Sequence, residues 1–461
     1  MTFAQAVQQT AQSTRTENGM ATLQNTTDPV VDLFYKIGAS RGKNIVAEFE
    51  RAFQHDNTLA LRVLLWARDV RGGAGERQIF RDLLLHLEQN HQNTLKRILP
   101  YVAEFGRWDD LLIFQTQAFK NSAFELVRQA LRNGNGLAAK WMPRKGEIAV
   151  ELRRYLEVSP KRYRKMLVEL TRVVEQQMCA KDWNNINFGQ VPSVAAARYQ
   201  RAFGRNAPEA YTTYKEGLEK GTEKINAATV YPYDVLRSIR RGDKTVARAQ
   251  WEALPNWMGS SAVLPMVDVS GSMNASVGGN PNLSCMDVAV SLGLYCADKN
   301  QGAFNGLFLT FSSESEIVHL KGDIVSKYQQ MVTSKWSMST NLHSAFDAVL
   351  KVAQSQRVPE KDMPEYIVIF SDMQFNQCIR HDDTAMQMIE RKYEAAGYQV
   401  PKIVFWNLRA SNGVPVTADK SGAALVSGFS PVVMKSILAA EDFTPRGIML
   451  KTINQERYCV V

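Results

Sequence analysis

From about residue 258 onward the chain alternates short, β-rich apolar runs with amphipathic helical stretches, a pattern that few folds satisfy. The apolar runs are SAVLPMVDVS (261–270), NGLFLTFS (305–312), PEYIVIFSD (364–372) and PKIVFWNL (401–408). The helical stretches between them are SCMDVAVSLGLYCADKN (284–300), NLHSAFDAVLKVAQ (341–354) and DTAMQMIERKYEAAG (383–397). Strands that are apolar along their length must be covered on both faces, and helices between strands supply that cover. Residues 256–461 are therefore expected to form an α/β doubly wound, Rossmann-like domain. Its ligands would sit at the carboxyl ends of the strands.

One such end carries Asp268-Val269-Ser270-Gly271-Ser272, directly after an apolar run. Alternate positions turn the Asp268 carboxylate and the Ser270 and Ser272 hydroxyls toward one point, and Gly271 eases the bend. Oxygens of this kind suit a hard divalent cation, and three of them leave room for others. Thr340, just before a helical stretch, and Asp372, just after an apolar run, occupy comparable places.

These five positions resemble the metal-ion-dependent adhesion site (MIDAS) of von Willebrand A-type (vWA) domains. That site is a D-x-S-x-S element followed by a later Thr and a later Asp, in this order. The resemblance implies that Ser270, Ser272 and Thr340 bind the ion directly. Asp268 and Asp372 would act largely through water, which suits Mg2+; Mn2+ and Ca2+ are open to the same oxygens. It also implies an open coordination position that receives a partner's carboxylate. On the residues alone, capping of the following segment by the two serines is the competing account.

The first half differs in character. LALRVLLWARDV (59–70), RQIFRDLLLHLEQN (77–90), TLKRILPYVAEFG (94–106), KRYRKMLVELTRVVEQQM (161–178) and VAAARYQRAFGRN (194–206) repeat apolar residues at helical spacing. Gly72, Gly73 and Gly75 suit a tight turn between the first two. No fixed period is present, so residues 29–255 are expected to be an all-α bundle or irregular solenoid. Residues 1–28 are polar and are expected to be a flexible tail, which leaves docking on another subunit and assembly into larger species open.

Charge separates the halves. Residues 1–250 hold 38 Lys and Arg against 26 Asp and Glu, a net +12; residues 251–461 hold 17 against 20, a net −3. A basic half beside an acidic one points to a polyanionic partner. Lys140, Trp141, Arg144 and Lys145 put an aromatic ring among cations, as base stacking with phosphate contact requires. Lys161, Arg162, Arg164 and Lys165 open a helical stretch; Arg198, Arg201 and Arg205 share a helix face. Arg237, Arg240, Arg241, Lys244 and Arg248 form a fourth group. Trp66, Trp108 and Trp183 lie in apolar segments and are expected in cores.

A basic helical region followed by a vWA domain resembles the Ro autoantigen family, in which a TROVE module of HEAT-like helical repeats forms a ring closed by a vWA domain. Segments 64–80 and 106–112 look more like a related branch of helical-plus-vWA proteins in bacteria, phages and eukaryotes. The resemblance implies a ribonucleoprotein component: a ring or arc that binds small or single-stranded RNA, carrying a Mg2+-bearing vWA domain. A second reading is an assembly scaffold whose metal captures a protein partner's carboxylate.

Catalysis is not expected. The chain has no nucleophile elbow, P-loop or HExxH. His319 and His343 are isolated, and Asp109, Asp110 and Asp182 read as caps beside tryptophan. Metal-assisted nuclease action by Asp268 and Asp372 stays open, with the hydroxyl-rich ligand set against it. Cys179, Cys285, Cys296, Cys378 and Cys459 are odd in number and form no CxxC pair. They give neither a disulfide framework nor a cysteine zinc site, and a reducing cytoplasm is expected. No stretch reaches the roughly 18 apolar residues of a membrane span, and the N-terminus lacks a secretory apolar core.

Overall fold

In the computed structural model the described residues are 12–461, other than 172, 228–229, 243, 279, 312–313, 335–340, 378–382 and 411. Strands β1 (Ser13–Arg15) and β2 (Ala21–Leu23) pair as a hairpin near the N-terminus. After the helical half comes β3 (Val263–Asp268), then a small hairpin of β4 (Ser276–Val277) and β5 (Asn280–Ser284). The main sheet is completed by β6 (Leu307–Phe311), β7 (Ile317–His319), β8 (Tyr366–Ser371), β9 (Lys402–Asn407) and β10 (Ala423–Ser427). Its order is β10-β9-β8-β3-β6-β7, parallel throughout except for the antiparallel edge strand β7. The strand order reverses between β3 and β8, which makes the carboxyl ends of these two strands the topological switch point.

Every residue of β3, β8 and β10 is buried, as their unbroken apolar sequences demand. The helix Cys285–Lys299 starts at a capping box in which Ser284 and Asp287 satisfy each other's backbone N–H groups. This helix lies so close to β3 that a Cβ on Gly293 would stand 2.2 Å from Val267 Cγ2.

The first half is helical, as expected, and both its ends rest on the α/β domain. The helix Pro29–Ile37, capped by the Asp28 carboxylate, packs on β10 beside the helix Pro445–Ile453. At its end Gly38 N donates to Ser427 Oγ, and a Cβ there would lie 2.7 Å from the Ser427 carbonyl. At the other end Pro232–Arg240 packs on Cys285–Lys299, and Lys244–Glu252 packs near Ile324–Thr333. One continuous apolar core runs through both halves, Trp66 included; a separate small core around Phe188, Phe203 and Tyr211 serves residues 174–246. Trp108 and Trp183 are only partly buried against these cores.

The structure corrects three local expectations. The 94–106 stretch is broken into Gln92–Ile98, a 3-10 turn Leu99–Tyr101 and Val102–Phe105, because Pro100 cannot continue an α-helical ladder. The 161–178 stretch is two helices, Pro160–Leu170 and Val174–Cys179, with Thr171 already extended. Within the expected polar tail, residues 13–23 form the β1–β2 hairpin, held on the α/β domain by Leu23 N to Val414 O, Val414 N to Leu23 O and Gln377 N to Asn18 O. Backbone pairing needs no apolar periodicity, and Met20 is the buried anchor. Residues 1–11 lie outside the described residues.

Gly293 yields a signed prediction. Glycine to alanine in a helix interior ordinarily stabilises by about 1 kcal/mol. Here the added methyl overlaps Val267, so Gly293→Ala is expected to destabilise the chain by about 1–3 kcal/mol. Denaturant melts of the two proteins check this; an unchanged or raised midpoint contradicts the packing.

Candidate metal centre

Asp268 is the last residue of β3 and stands across from Ser371, the last residue of β8; Asp372 follows, close enough for its charge to act on Asp268. Both carboxylates are buried. Asp268 Oδ1 accepts from Ser270 N at 2.9 Å, and its Oδ2 accepts from the Ser371 hydroxyl. Ser371 Oγ in turn accepts from Met373 N at 3.0 Å, and Asp372 Oδ1 accepts from Gln374 N at 3.3 Å. Met373 holds φ at 62°, a left-handed conformation uncommon outside glycine, which folds these two N–H groups back onto the site. The Ser270 and Ser272 hydroxyls are 3.0 Å apart, and Ser272 also hydrogen-bonds Asp372.

Four of the five sequence-predicted positions, Asp268, Ser270, Ser272 and Asp372, are thus joined in one network; Thr340 lies outside the described residues. His343 is occupied by Asp347 at 2.9 Å. The structure adds residues the motif did not name. Ser371 orients Asp268. Arg409, just beyond β9, places Nη1 3.9 Å from Asp372 Oδ2. Lys43 donates to the Ala410 carbonyl and feels both Arg409 and Glu17. Ser371 and Arg409 could have been found by inspecting the carboxyl end of every strand, where such sheets place their ligands.

The donor set fits a divalent cation. Burial first, and then the charge of Asp372, push Asp268 up to about 6. Burial likewise raises Asp372, against the hydrogen bond from Ser272. A cation between two carboxylates and two hydroxyls relieves both the desolvation and the repulsion. Ser270 and Ser272 would hold the ion, with the carboxylates behind them, and the ion would supply an electrophilic docking point.

The predicted polyanion contacts divide into two kinds. Arg198, Arg201, Arg241 and Lys244 meet, with Lys215 and Tyr211, around an open cavity of about 750 Å³. No ion pair engages these five cations among the described residues. Arg205 is exposed on the same helix as Arg198 and Arg201, and Arg237 is half-buried. By contrast Arg240 pairs with Asp287 at 2.9 Å, and Arg248 pairs with Asp323. These two ion pairs link the helical half to the α/β domain.

Trp141 is likewise committed: it is partly buried, with the Arg107 guanidinium 3.8 Å above its ring and Lys140 at 5.6 Å. The expected stacking platform is therefore covered on one face. Arg144, Lys145, Lys161, Arg162, Arg164 and Lys165 are exposed, Lys165 pairing with Glu169 at 3.6 Å. The Tyr163 hydroxyl donates to the Pro143 carbonyl, drawing these two groups onto neighbouring surface. Asp110 is more than a cap: it accepts from Arg107 N and pairs, fully buried, with Arg68 and Arg81.

Residues 16–134 and 135–262 match the sequence model of a family described as a domain of unknown function (DUF2828). The chain belongs to the DUF2828 family. In this DUF2828 protein, residues 262–457 match a second domain of unknown function (DUF7788), which begins one residue before β3. Its sequence is similar to uncharacterized protein L728 of Acanthamoeba polyphaga mimivirus, 29% identical over 505 residues, covering 95% of this chain and 86% of that protein. Its structure is similar, at TM-score 0.46 and 15% identity, to the crystal structure of the Deinococcus radiodurans Ro (RSR) protein, covering 93% and 99% of the two chains.

In chelator, the raised Asp268 holds a proton more tightly in the folded chain than in the unfolded one. Its contribution to stability is present below the ordinary 3.8 and is lost as pH rises through about 6. Asp268→Asn gives up one of two accepted hydrogen bonds, worth about 1 kcal/mol, but escapes this loss. It is therefore expected to exceed wild type by roughly 1–2 kcal/mol at neutral pH in chelator and to lose the melting-temperature increase that Mg2+ gives wild type. Melts with and without Mg2+ check both; wild type indifferent to Mg2+ and to pH in this window contradicts the site.

Proposed function

We propose that this protein binds RNA through the basic cleft of its helical half and carries Mg2+ in a vWA-like, MIDAS-type site at the end of its sheet. The cleft is the observation that carries the reading. Five cations with no ion pair among the described residues surround an open cavity. Neutralising phosphates is the ordinary use of such a surface. RNA, rather than another polyanion, follows the helical-then-vWA order that the sequence shares with the Ro family. The metal site is a docking point in this reading and performs no chemistry on the RNA.

Anisotropy titrations of labelled single-stranded and hairpin RNA across a salt series test the cleft. Each phosphate contact removed lowers the slope of log affinity on log salt by about 0.7 for a single strand. Arg198→Gln combined with Arg241→Gln is therefore expected to reduce it by about 1.4, whereas Arg248→Gln leaves it unchanged. No RNA binding at low salt, or equal slopes in all three proteins, contradicts the proposal.

A second reading, a scaffold that captures a protein carboxylate, is favoured by Arg409 beside Asp372, with Lys43 near Arg409. An incoming carboxylate would meet the ion and these side chains together. Under that reading a pulldown with Asp268→Ala loses protein partners while RNA binding survives; retained partners count against it.

A further inference from the structure

Among the described residues, one group of three His, Cys, Asp or Glu side chains brings its ligand atoms within 4.8 Å of one another: Glu50, His86 and His91. It lies in the helical half, apart from the sheet-end site. Glu50 sits in the helix Val46–His55, His86 in the helix Gln78–Asn90, and His91 caps the end of that second helix. Both imidazole Nε2 atoms converge on the same carboxylate oxygen, Glu50 Oε2, at 2.8 and 2.9 Å.

We propose that Glu50, His86 and His91 form a site for a divalent transition-metal ion, Zn2+ foremost, that ties the helix Val46–His55 to the end of Gln78–Asn90 and leaves one coordination position to water or a ligand.

Three arguments support it. Two imidazole nitrogens and one carboxylate oxygen make a donor set that borderline cations prefer over Mg2+ or Ca2+, which seek oxygen alone. The atoms are nearly in place: Zn–N and Zn–O bonds of about 2.0–2.2 Å in a tetrahedron separate ligand atoms by about 3.4 Å. For the two N···O contacts, moving from hydrogen bond to coordination needs only about half an ångström, within reach of side chains that are half-buried. The surroundings also hold the ligands. Gln54 donates to the other Glu50 oxygen at 2.9 Å, while Phe53 packs tilted against the His91 ring, centroids 4.5 Å apart, and Phe49 meets the His86 ring edge-on. Such flanking contacts fix ligand orientation. Asn90 Nδ2 faces His86 Nδ1 at 3.1 Å, so metal at Nε2, which leaves the proton on Nδ1, requires this exposed amide to turn.

The full chain, stripped with chelator, is titrated with Zn2+ by calorimetry and with Co2+ by visible absorption. Wild type and Asp268→Asn are expected to bind Zn2+ at this site alike, and Co2+ to develop ligand-field bands. His86→Gln and His91→Gln are expected to melt as wild type does and to bind Zn2+ at least about tenfold more weakly, since even outer-shell losses reach that size. Equal Zn2+ affinity in the histidine variants overturns the site, as does binding lost in Asp268→Asn. Should the variants unfold, the wild-type Co2+ spectrum decides: absence of bands at stoichiometric Co2+ overturns it.

Discussion

The architecture turns on two carboxylates buried next to each other. Parallel pairing of β3 with β8 runs Val263 to Val267 beside Tyr366 to Phe370, so Asp268 emerges across from Ser371, with Asp372 one residue further on at the same switch point. Both are withdrawn from water, and the charge of Asp372 raises the cost of ionising Asp268. The surrounding chain is arranged to offset this. Ser371 and the Ser270 amide hydrogen-bond Asp268, the left-handed turn at Met373 directs amides back to the site, and Arg409 stands at the rim. The N-terminal segment holds the loop after β8 in place, with Glu17 N donating to the Gln374 side chain and Thr16 Oγ1 to the Phe375 carbonyl.

Charge in the helical half does two jobs, and only partner geometry separates them. The RDVRGGAGER segment (68–77) is a joint. Arg68 pairs with Asp110, Asp69 accepts from Arg457 and Tyr458 near the C-terminus, and Glu76 pairs with Arg41 at 2.8 Å. Gly73 permits the close pass of this loop under Trp66, whose carbonyl would lie 1.9 Å from an added Cβ. Arg240 and Arg248 fasten the other end to Asp287 and Asp323. Breaking one partner of a buried pair such as Arg68–Asp110 costs about 3–5 kcal/mol. What remains outside such pairs among the described residues includes the set around the cleft and the exposed cations of 144–164.

The legible parts of the sequence were those with local signals. The alternation after residue 258 gave β3, β6, β8 and β9 of the six-stranded sheet but not β7 or β10, and Asp268, Ser270 and Ser272 fell together because alternate residues point one way. Asp372 was found from its place after an apolar run. Contacts between distant segments were not legible. Nothing near Arg240 announces Asp287, forty-seven residues on, and nothing near Glu50 announces His86 and His91. The β1–β2 hairpin carries no apolar pattern because its backbone hydrogen bonds hold it. The break at Thr171 escaped because apolar spacing continues across it.

The direct measurement is a Mn2+ anomalous difference map from crystals of the full chain. The account predicts a peak at the carboxyl end of the sheet, about 2.2 Å from the Ser270 and Ser272 hydroxyls, with the Asp268 and Asp372 carboxylates behind it. Density without such a peak at saturating Mn2+, or a Lys or Arg side chain lodged between the two carboxylates, would contradict it.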